Sequence, residues 1–401
     1  MTIKEYLHAF TPYAIGHALL NVTDGCNLRC RYCFTNHNPR RMKLQTAKDA
    51  VKFIWENRGT SPFITISFFG GEPMLEYETI IKPLVEWAKD SEYNVHWGMT
   101  TNGTLFTEER LDWCKENGVG FLLSIDGDKA TQDYNRPCVN GGSSFDLVAP
   151  MLPKIIEKFP FTTFRSTGIP ETTDKIVDNY LFARKMGFRD YYIMPNVMQK
   201  WTDEEIKAYN NQIETIYNIM YRDITYGFVP LRIHNVIKTY KCYFGQERSP
   251  SIRDCYRCGL GLTTVGIGVN GEIFGCQEHS TYSDLENDLF YIGTIYKGID
   301  PERHIHLLEE FCKTIHLIPE DPKMCENCIR KKWCNSLHCP SHNWNNFGDI
   351  RKQDKMTCIY RAFEDEMALK LLMRAQEEGN QKYCQWVELC INEERGKNYA
   401  V

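Results

Sequence analysis

Short apolar runs alternate with longer stretches of helical periodicity through the first half of the chain. The runs are 17–22 (HALLNV), 63–69 (FITISFF), 94–100 (NVHWGMT), 119–125 (VGFLLSI), 162–168 (TTFRSTG) and 190–195 (DYYIMP), rich in branched or aromatic residues. Amphipathic stretches near 45–58, 76–90, 107–117, 145–158, 174–187 and 203–226 lie between or after them. Six strand–helix units in sequence imply a parallel sheet with right-handed crossovers. Six units, where eight close a full barrel, predict an α/β fold built on an open, partial (β/α)6 barrel. The carboxyl ends of its strands would form the active face.

Around residue 230 the pattern changes. Glycine and cysteine become frequent, and two short strand candidates, 262–269 and 272–275, flank Asn270-Gly271, a hairpin turn signal. Beyond residue 360 the charged pattern FEDEMALKLLMRAQEE predicts a C-terminal helix packed on the preceding module. The organisation that follows is a barrel over 1–230, a small cysteine-rich module over 231–360 and a helical tail over 361–401. No low-complexity linker separates them, which predicts tight docking.

Composition narrows the function classes. A chain of 401 residues is long for one domain, and 42% hydrophobic residues support globular cores. A net charge of −5 carries no nucleic-acid footprint, because the one basic patch, Arg40, Arg41 and Lys43, is too short to make one. Pro12 and His17 interrupt the N-terminal stretch, so no signal core forms there, and no apolar segment reaches the length of a membrane span. A cytoplasmic setting is expected. Seventeen cysteines without a secretion signal point to metal binding in a reducing compartment ahead of disulfides.

The most informative cysteines are Cys26, Cys30 and Cys33, in Cys-x3-Cys-x2-Cys spacing. Cubane clusters are normally held by four cysteines. Three thiolates therefore leave one iron open to an exchangeable ligand, whereas a structural zinc site wants four protein ligands with a distant second pair. With Tyr32 just before the last cysteine, this loop resembles the hallmark of the radical S-adenosylmethionine (SAM) superfamily. There the open iron chelates the amino and carboxylate groups of SAM. Gly70-Gly71-Glu72-Pro73 after the second run resembles that family's GGEP motif, which holds the SAM amino group. The glycines permit close backbone approach, and the carboxylate can accept from an ammonium or fix the loop. The resemblance implies further SAM contacts from Thr101 and Asn102 at the third strand end, and from Ser124 and Asp126 at the fourth. Arg165 in the fifth run would meet the SAM carboxylate, a buried arginine needing an anionic partner. Met194 would border the adenine.

A second constellation follows: Cys258, twelve residues, Gly271, four residues, Cys276, then Cys325-x2-Cys328-x5-Cys334-x4-Cys339 and Cys358. It resembles the SPASM module of peptide-modifying radical SAM enzymes, which holds two auxiliary four-iron clusters. The usual last spacing is three residues; here it is four. By resemblance the second auxiliary cluster uses Cys325, Cys328, Cys334 and Cys358. The first uses Cys258, Cys276 and Cys339, with Cys255 or Cys242 as the fourth ligand. Two zinc ribbons would also permit the Cys-x2-Cys elements.

The implied cofactors are three [4Fe–4S] clusters and SAM, and the implied chemistry is hydrogen abstraction by a 5′-deoxyadenosyl radical. The implied partners are a ribosomally made precursor peptide and an electron donor such as flavodoxin or ferredoxin. Only 25 residues precede Cys26, too few for a winged-helix leader-binding module, so leader binding is expected to fall to a separate protein, to the 203–257 region or to the C-terminal tail. Two enzymatic readings compete: a maturase that forms a crosslink such as a cysteine thioether, and an anaerobic sulfatase maturase that makes formylglycine. Sulfatase maturases carry an aspartate after the cysteine of the Gly-x4-Cys element. Here Gln277 stands there, and an amide cannot act as a general base. An iron–sulfur electron carrier is the non-enzymatic alternative, and the GGEP motif counts against it.

Overall fold

The computed structural model describes residues 14–243, 259, 261–281, 284–312, 318–331 and 339–393. Seven strands run parallel in chain order: β1 (His17–Thr23), β2 (Ile64–Gly70), β3 (Val95–Thr101), β4 (Leu122–Ser124), β5 (Thr163–Gly168), β6 (Asp190–Pro195) and β7 (Arg232–Ile233). Helices Leu44–Asn57, Lys82–Lys89, Glu108–Glu116, Leu152–Lys158 and Ile176–Met186 make the crossovers. The six predicted strands are all present, the fourth shortened to three residues. Their buried side chains pack against the inner faces of the helices: Leu20, Ile66, Phe68, Leu123 and Phe164 are fully enclosed. Burying such side chains contributes about 1.5–3 kcal/mol each relative to exposure.

Helix Asp203–Tyr226 matches its predicted span. Thr202 caps it, accepting from Glu205 N, while the Glu205 carboxylate accepts from Thr202 N.

The sheet does not end with the barrel. Strand β8 (Thr264–Ile267) lies parallel to β1 on its far side, with His17 opposite Thr264. Strand β9 (Glu272–Phe274) returns antiparallel across the predicted Asn270-Gly271 turn, and β10 (Tyr291–Thr294) and β11 (Gly298–Ile299) extend the edge. One eleven-stranded sheet thus runs from the barrel into the cysteine-rich region. Tight docking was expected; shared hydrogen bonding within one sheet was not.

The C-terminal helix begins earlier than its charged pattern suggested, at Lys355, and runs to Glu377. Asp354 caps it by accepting from Thr357 N at 2.7 Å. It packs on helix His234–Tyr243 of the 231–360 region, where Asn235 donates to Glu364 and the Tyr240 hydroxyl to Ala368 O, and also lies against helix Asp203–Tyr226, which the charged pattern did not indicate. No described helix is long and apolar enough to cross a membrane.

Candidate active site

The loop carrying Cys26, Cys30 and Cys33 leaves the carboxyl end of β1 and is held as a short ribbon against residues 135–139. Arg29 N donates to Pro137 O at 2.8 Å, Arg31 N to Asn135 O at 2.9 Å and Val139 N to Asn27 O at 3.1 Å. Leu28 is buried, while Arg29 and Arg31 face out. The three cysteines line a cavity of about 710 Å³ over the strand ends.

Two buried carboxylates fix this geometry. Asp126 is fully buried and takes four donors: Arg136 at 3.1 Å and Thr167 N at 3.0 Å on Oδ1, the Tyr32 hydroxyl at 2.6 Å and Asn135 Nδ2 at 3.1 Å on Oδ2. Arg136, itself buried, lies 5.3 Å from the Tyr32 ring and reaches within 3.9 Å of Cys30 Sγ. Glu72 accepts from Met74 N at 3.0 Å and Thr101 Oγ1 at 2.7 Å through Oε1, and from Asn102 N at 2.8 Å through Oε2. Burial pushes its carboxyl up to about 7 against these three hydrogen bonds. Asn102 in turn donates to Asn27 Oδ1 at 3.0 Å, tying the GGEP turn to the cysteine loop.

The two glycines are required by packing. A Cβ on Gly71 would stand 2.2 Å from Gly25 O, and one on Gly70, at φ +132°, would stand 2.1 Å from Thr23 O. Both contacts are backbone, so no side-chain adjustment relieves them.

Of the eleven residues expected to contact SAM, Tyr32, Gly70, Gly71, Glu72, Thr101, Asn102, Ser124, Arg165 and Met194 line the cavity. Pro73 and Asp126 do not. Pro73 starts a buried turn, and Asp126 stands behind the wall with both oxygens occupied, so it positions Tyr32 and Arg136. The Glu72 carboxylate likewise spends itself on protein donors, which leaves the backbone of the motif to face a ligand. Arg165 is half-buried, stacks 4.5 Å from the Tyr192 ring and touches Met194 Sδ at 3.7 Å. Among the described residues no carboxylate pairs with it. Its charge is free for an anionic ligand.

Burial also holds protons on the cysteines. Cys26 is pushed up to about 12 and Cys30 to about 11, the latter opposed by Arg136. Such thiols become ligands when a cation displaces their protons. Three sulfurs, none of them in a disulfide, and an arginine that no described carboxylate pairs with line one cavity, which fits a cluster with one open iron.

The far wall comes from the cysteine-rich region, carried there by the pairing of β8 with β1: Gln277, Glu278 and His342. Glu278 accepts from Ser341 Oγ at 2.6 Å and lies 3.0 Å from His342 Nε2. Burial raises its carboxyl, yet the His342 imidazole outweighs this and holds it at about 2. Cys276 is buried beside Gln277, and Cys339 lies within 4.8 Å of Glu278 and His342. Cys258 and its expected companion Cys255 lie outside the described residues, and nothing is described of the Cys242 side chain.

Cys325, Cys328 and Cys358 converge on a second cavity of about 740 Å³, walled also by Arg330 and Arg361; Cys334 lies outside the described residues.

Sequence reading missed Arg136 and His342. Arg136 carries no motif, its signal being only a lone arginine in a segment that pairs with the cysteine loop. His342 was visible only as the third residue after Cys339.

The Radical SAM superfamily profile matches residues 20–212. The radical SAM cyclopropyl synthase TigE of Paramaledivibacter caminithermalis is 22% identical over 339 residues, 80% of this chain and 69% of that one. A cysteine-type anaerobic sulfatase-maturating enzyme of Clostridium novyi is 26% identical over 301 residues, 66% of this chain and 77% of the relative. Among solved structures, anSMEcpe with bound AdoMet superposes with a TM-score of 0.72 at 18% identity, covering 94% of this chain and 98% of that one. Streptococcus suis SuiB bound to its precursor peptide SuiA gives 0.57 at 15% identity, covering 88% and 78%. At these identities the structural likenesses establish the fold.

Proposed function

We propose that this chain, whose residues 20–212 match the Radical SAM superfamily profile, is a radical SAM enzyme that matures a ribosomally made precursor peptide by joining a cysteine sulfur to a carbon of another residue. A [4Fe–4S] cluster on Cys26, Cys30 and Cys33 with SAM, when bound, supplies the radical that removes the substrate hydrogen. Closing the carbon–sulfur bond would also release the thiol proton and one electron, the electron passing to an auxiliary cluster; the chain's own residues bind and orient the reactants. Arg165 receives the SAM carboxylate, the backbone of Gly70 and Gly71 its ammonium, and the walls at Ser124, Met194 and Asn196 close around the nucleoside. In this reading Cys325, Cys328, Cys334 and Cys358 hold one auxiliary cluster. Cys258, Cys276, Cys339 and Cys255 hold the other, within the 231–360 region. An electron donor such as flavodoxin or ferredoxin completes the system.

The observation that carries the crosslinking reading is the composition of the far wall. Gln277 faces the cavity where a formylglycine-forming site needs a base, and Glu278 beside it is engaged by Ser341 and His342. The relatives include both a cyclopropyl synthase and anaerobic sulfatase-maturating enzymes, so the choice between the readings rests on the wall residues.

The test is anaerobic incubation of the reconstituted protein with SAM, reductant and the short cysteine-containing peptide encoded beside its gene. Tandem mass spectrometry should show loss of two hydrogens and a sulfur that resists alkylation. Conversion of a sulfatase-motif cysteine to an aldehyde, with the peptide unchanged, would overturn the reading in favour of formylglycine.

A further inference from the structure

The segment that carries the three cysteines is one backbone thick. Leu28 is buried and Cys30 lines the cavity, while Arg29 and Arg31, on either side of Cys30 in the chain, are exposed on the outer face. Their guanidinium groups are held by backbone oxygens. Arg29 Nη1 donates to Cys26 O at 2.9 Å and to Leu28 O at 2.8 Å, and Arg31 Nε donates to Tyr134 O at 2.8 Å. The nearby carboxylates are engaged elsewhere: Asp133 accepts from Ser143 Oγ at 2.7 Å and lies 3.5 Å from Lys129, which also pairs with Asp146. Among the described residues no carboxylate pairs with Arg29 or Arg31. Arg31 lies 4.1 Å from the exposed ring of Tyr134, and Val139, bonded through its N–H to Asn27 O, is exposed on the same ribbon. Two unneutralised cations, an aromatic ring and an aliphatic side chain thus gather outside the cysteine loop. Arginine and tyrosine are enriched where proteins dock.

The chain as a whole carries a charge of −5. An acidic protein is repelled by the molecule in general and attracted to this patch, which orients it before contact. We propose that this face docks a small acidic one-electron carrier protein, with Arg29 and Arg31 meeting its carboxylates and Tyr134 and Val139 packing against it. This rests on the radical SAM reading above. In the step the reduced carrier loses one electron and the cluster on Cys26, Cys30 and Cys33 gains it; no bond forms or breaks. Electron transfer falls off exponentially with distance, and this face brings the carrier within one backbone layer of the Cys30 sulfur. A patch of this size fits a transient encounter, in which the oxidised carrier must leave after each transfer.

The experiment measures binding and reduction on the anaerobically reconstituted full chain. The probes are an acidic flavodoxin and reduced methyl viologen, a small cation that needs no docking face. Calorimetry with oxidised flavodoxin reads binding, and stopped-flow absorbance reads reduction. When Arg29→Glu and Arg31→Glu are combined, affinity for flavodoxin falls about tenfold or more. Reduction by flavodoxin slows with it and loses its dependence on ionic strength, while iron content and reduction by methyl viologen stay. Arg29→Gln with Arg31→Gln removes the charges without reversing them and moves affinity and rate the same way by less. This milder pair covers the case in which the double reversal does not fold. Unchanged flavodoxin affinity at full iron content overturns the proposal, as does a wild-type chain that methyl viologen reduces and flavodoxin does not bind. An equal slowing with both reductants also overturns it, making the arginines supports of the cysteine loop. A wild-type chain that is reduced yet leaves SAM intact sinks the radical SAM reading itself, a result distinct from these.

Discussion

The two cysteine-lined cavities are built in opposite ways. In the first, Cys26, Cys30 and Cys33 sit on one loop, laddered to residues 135–139 and anchored through Tyr32 and Arg136 to Asp126, whose two oxygens accept four hydrogen bonds. In the second, Cys325 and Cys328 come from a turn and Cys358 from a helix, brought together by Arg330 bonding to Arg361 O at 3.2 Å and by a two-residue strand pair at Ile318–Pro319. Its buried carboxyl, Glu364, stands 3.9 Å from Arg361, and Arg330 pairs with Asp365 at 3.3 Å. Each cavity keeps a buried arginine nitrogen without a hydrogen-bond partner among the described residues, Arg136 Nε at the first, Arg330 Nη2 and Arg361 Nε at the second, so the charges do not separate the two. The spacing of the ligands does: a site whose ligands share one loop is set before metal arrives, and one whose ligands are distant in the chain draws more of its order from the metal.

Breaking the first hub should have the largest effect. Asp126→Ala strands Arg136 in the interior and frees Tyr32. Removing one partner of a buried pair costs about 3–5 kcal/mol. The variant should lose the Cys26–Cys30–Cys33 cluster and all SAM cleavage, together with a large fall in melting temperature. Retention of iron and of 5′-deoxyadenosine formation would show that the loop ladder suffices without the carboxylate.

Glu72→Gln asks a narrower question of the same cavity. The amide has one acceptor oxygen for three donors, so an N–H meets an N–H at Met74 or Asn102, a cost of about 1–3 kcal/mol. Iron content should hold while SAM affinity, read by calorimetry, falls roughly tenfold, as expected for about 1.4 kcal/mol. Unchanged SAM binding would mean that the GGEP turn keeps its shape through Gly71 packing alone.

Cys358→Ser tests the second cavity. It should cost about four irons and abolish peptide product, while SAM cleavage at the first cavity continues near the wild-type rate. Parallel loss of SAM cleavage would show that the two cavities form one cooperative unit, contrary to their separate construction.

The same contrast explains what the sequence disclosed. Short apolar runs and helical stretches gave five of the six parallel strands nearly to the residue and overran the fourth, because each buries a contiguous face. Nine of the eleven candidates line the cavity, most of them at or just past strand ends, where backbone position brings them to it, with Tyr32 on the cysteine loop and Arg165 within β5. Asp126 sits at such an end too, but whether its carboxylate faces ligand or Arg136 depends on a long-range pairing with no local signal. The same holds for β8, whose partner β1 lies some 250 residues away in sequence and which no periodicity could assign. Arg136 and His342 became visible only through these long-range contacts.

The smallest effect concerns Glu364, behind the second cavity. It is buried, accepts from Asn235 Nδ2 at 2.8 Å, and burial pushes it up to about 7 even with Arg361 alongside. A carboxyl whose folded value exceeds its unfolded one binds its proton more tightly when folded. Its stabilising contribution is full below about pH 4.3, the unfolded value, and is lost as pH rises through the folded value. Glu72 shifts the same way, so wild-type melting temperature should fall between about pH 5 and pH 8. Glu364→Gln keeps the acceptor for Asn235 and removes the titration. It should flatten part of that fall, the upshifted Glu72, Asp24, Asp354 and His342 keeping the remainder, and be more stable than wild type at the alkaline end. An unchanged slope, measured by differential scanning calorimetry across that range, would mean that Arg361 keeps Glu364 charged throughout. Glu364 would then stay paired with Arg361 through that range, and only the distance between their ligands in the chain would separate the two cavities.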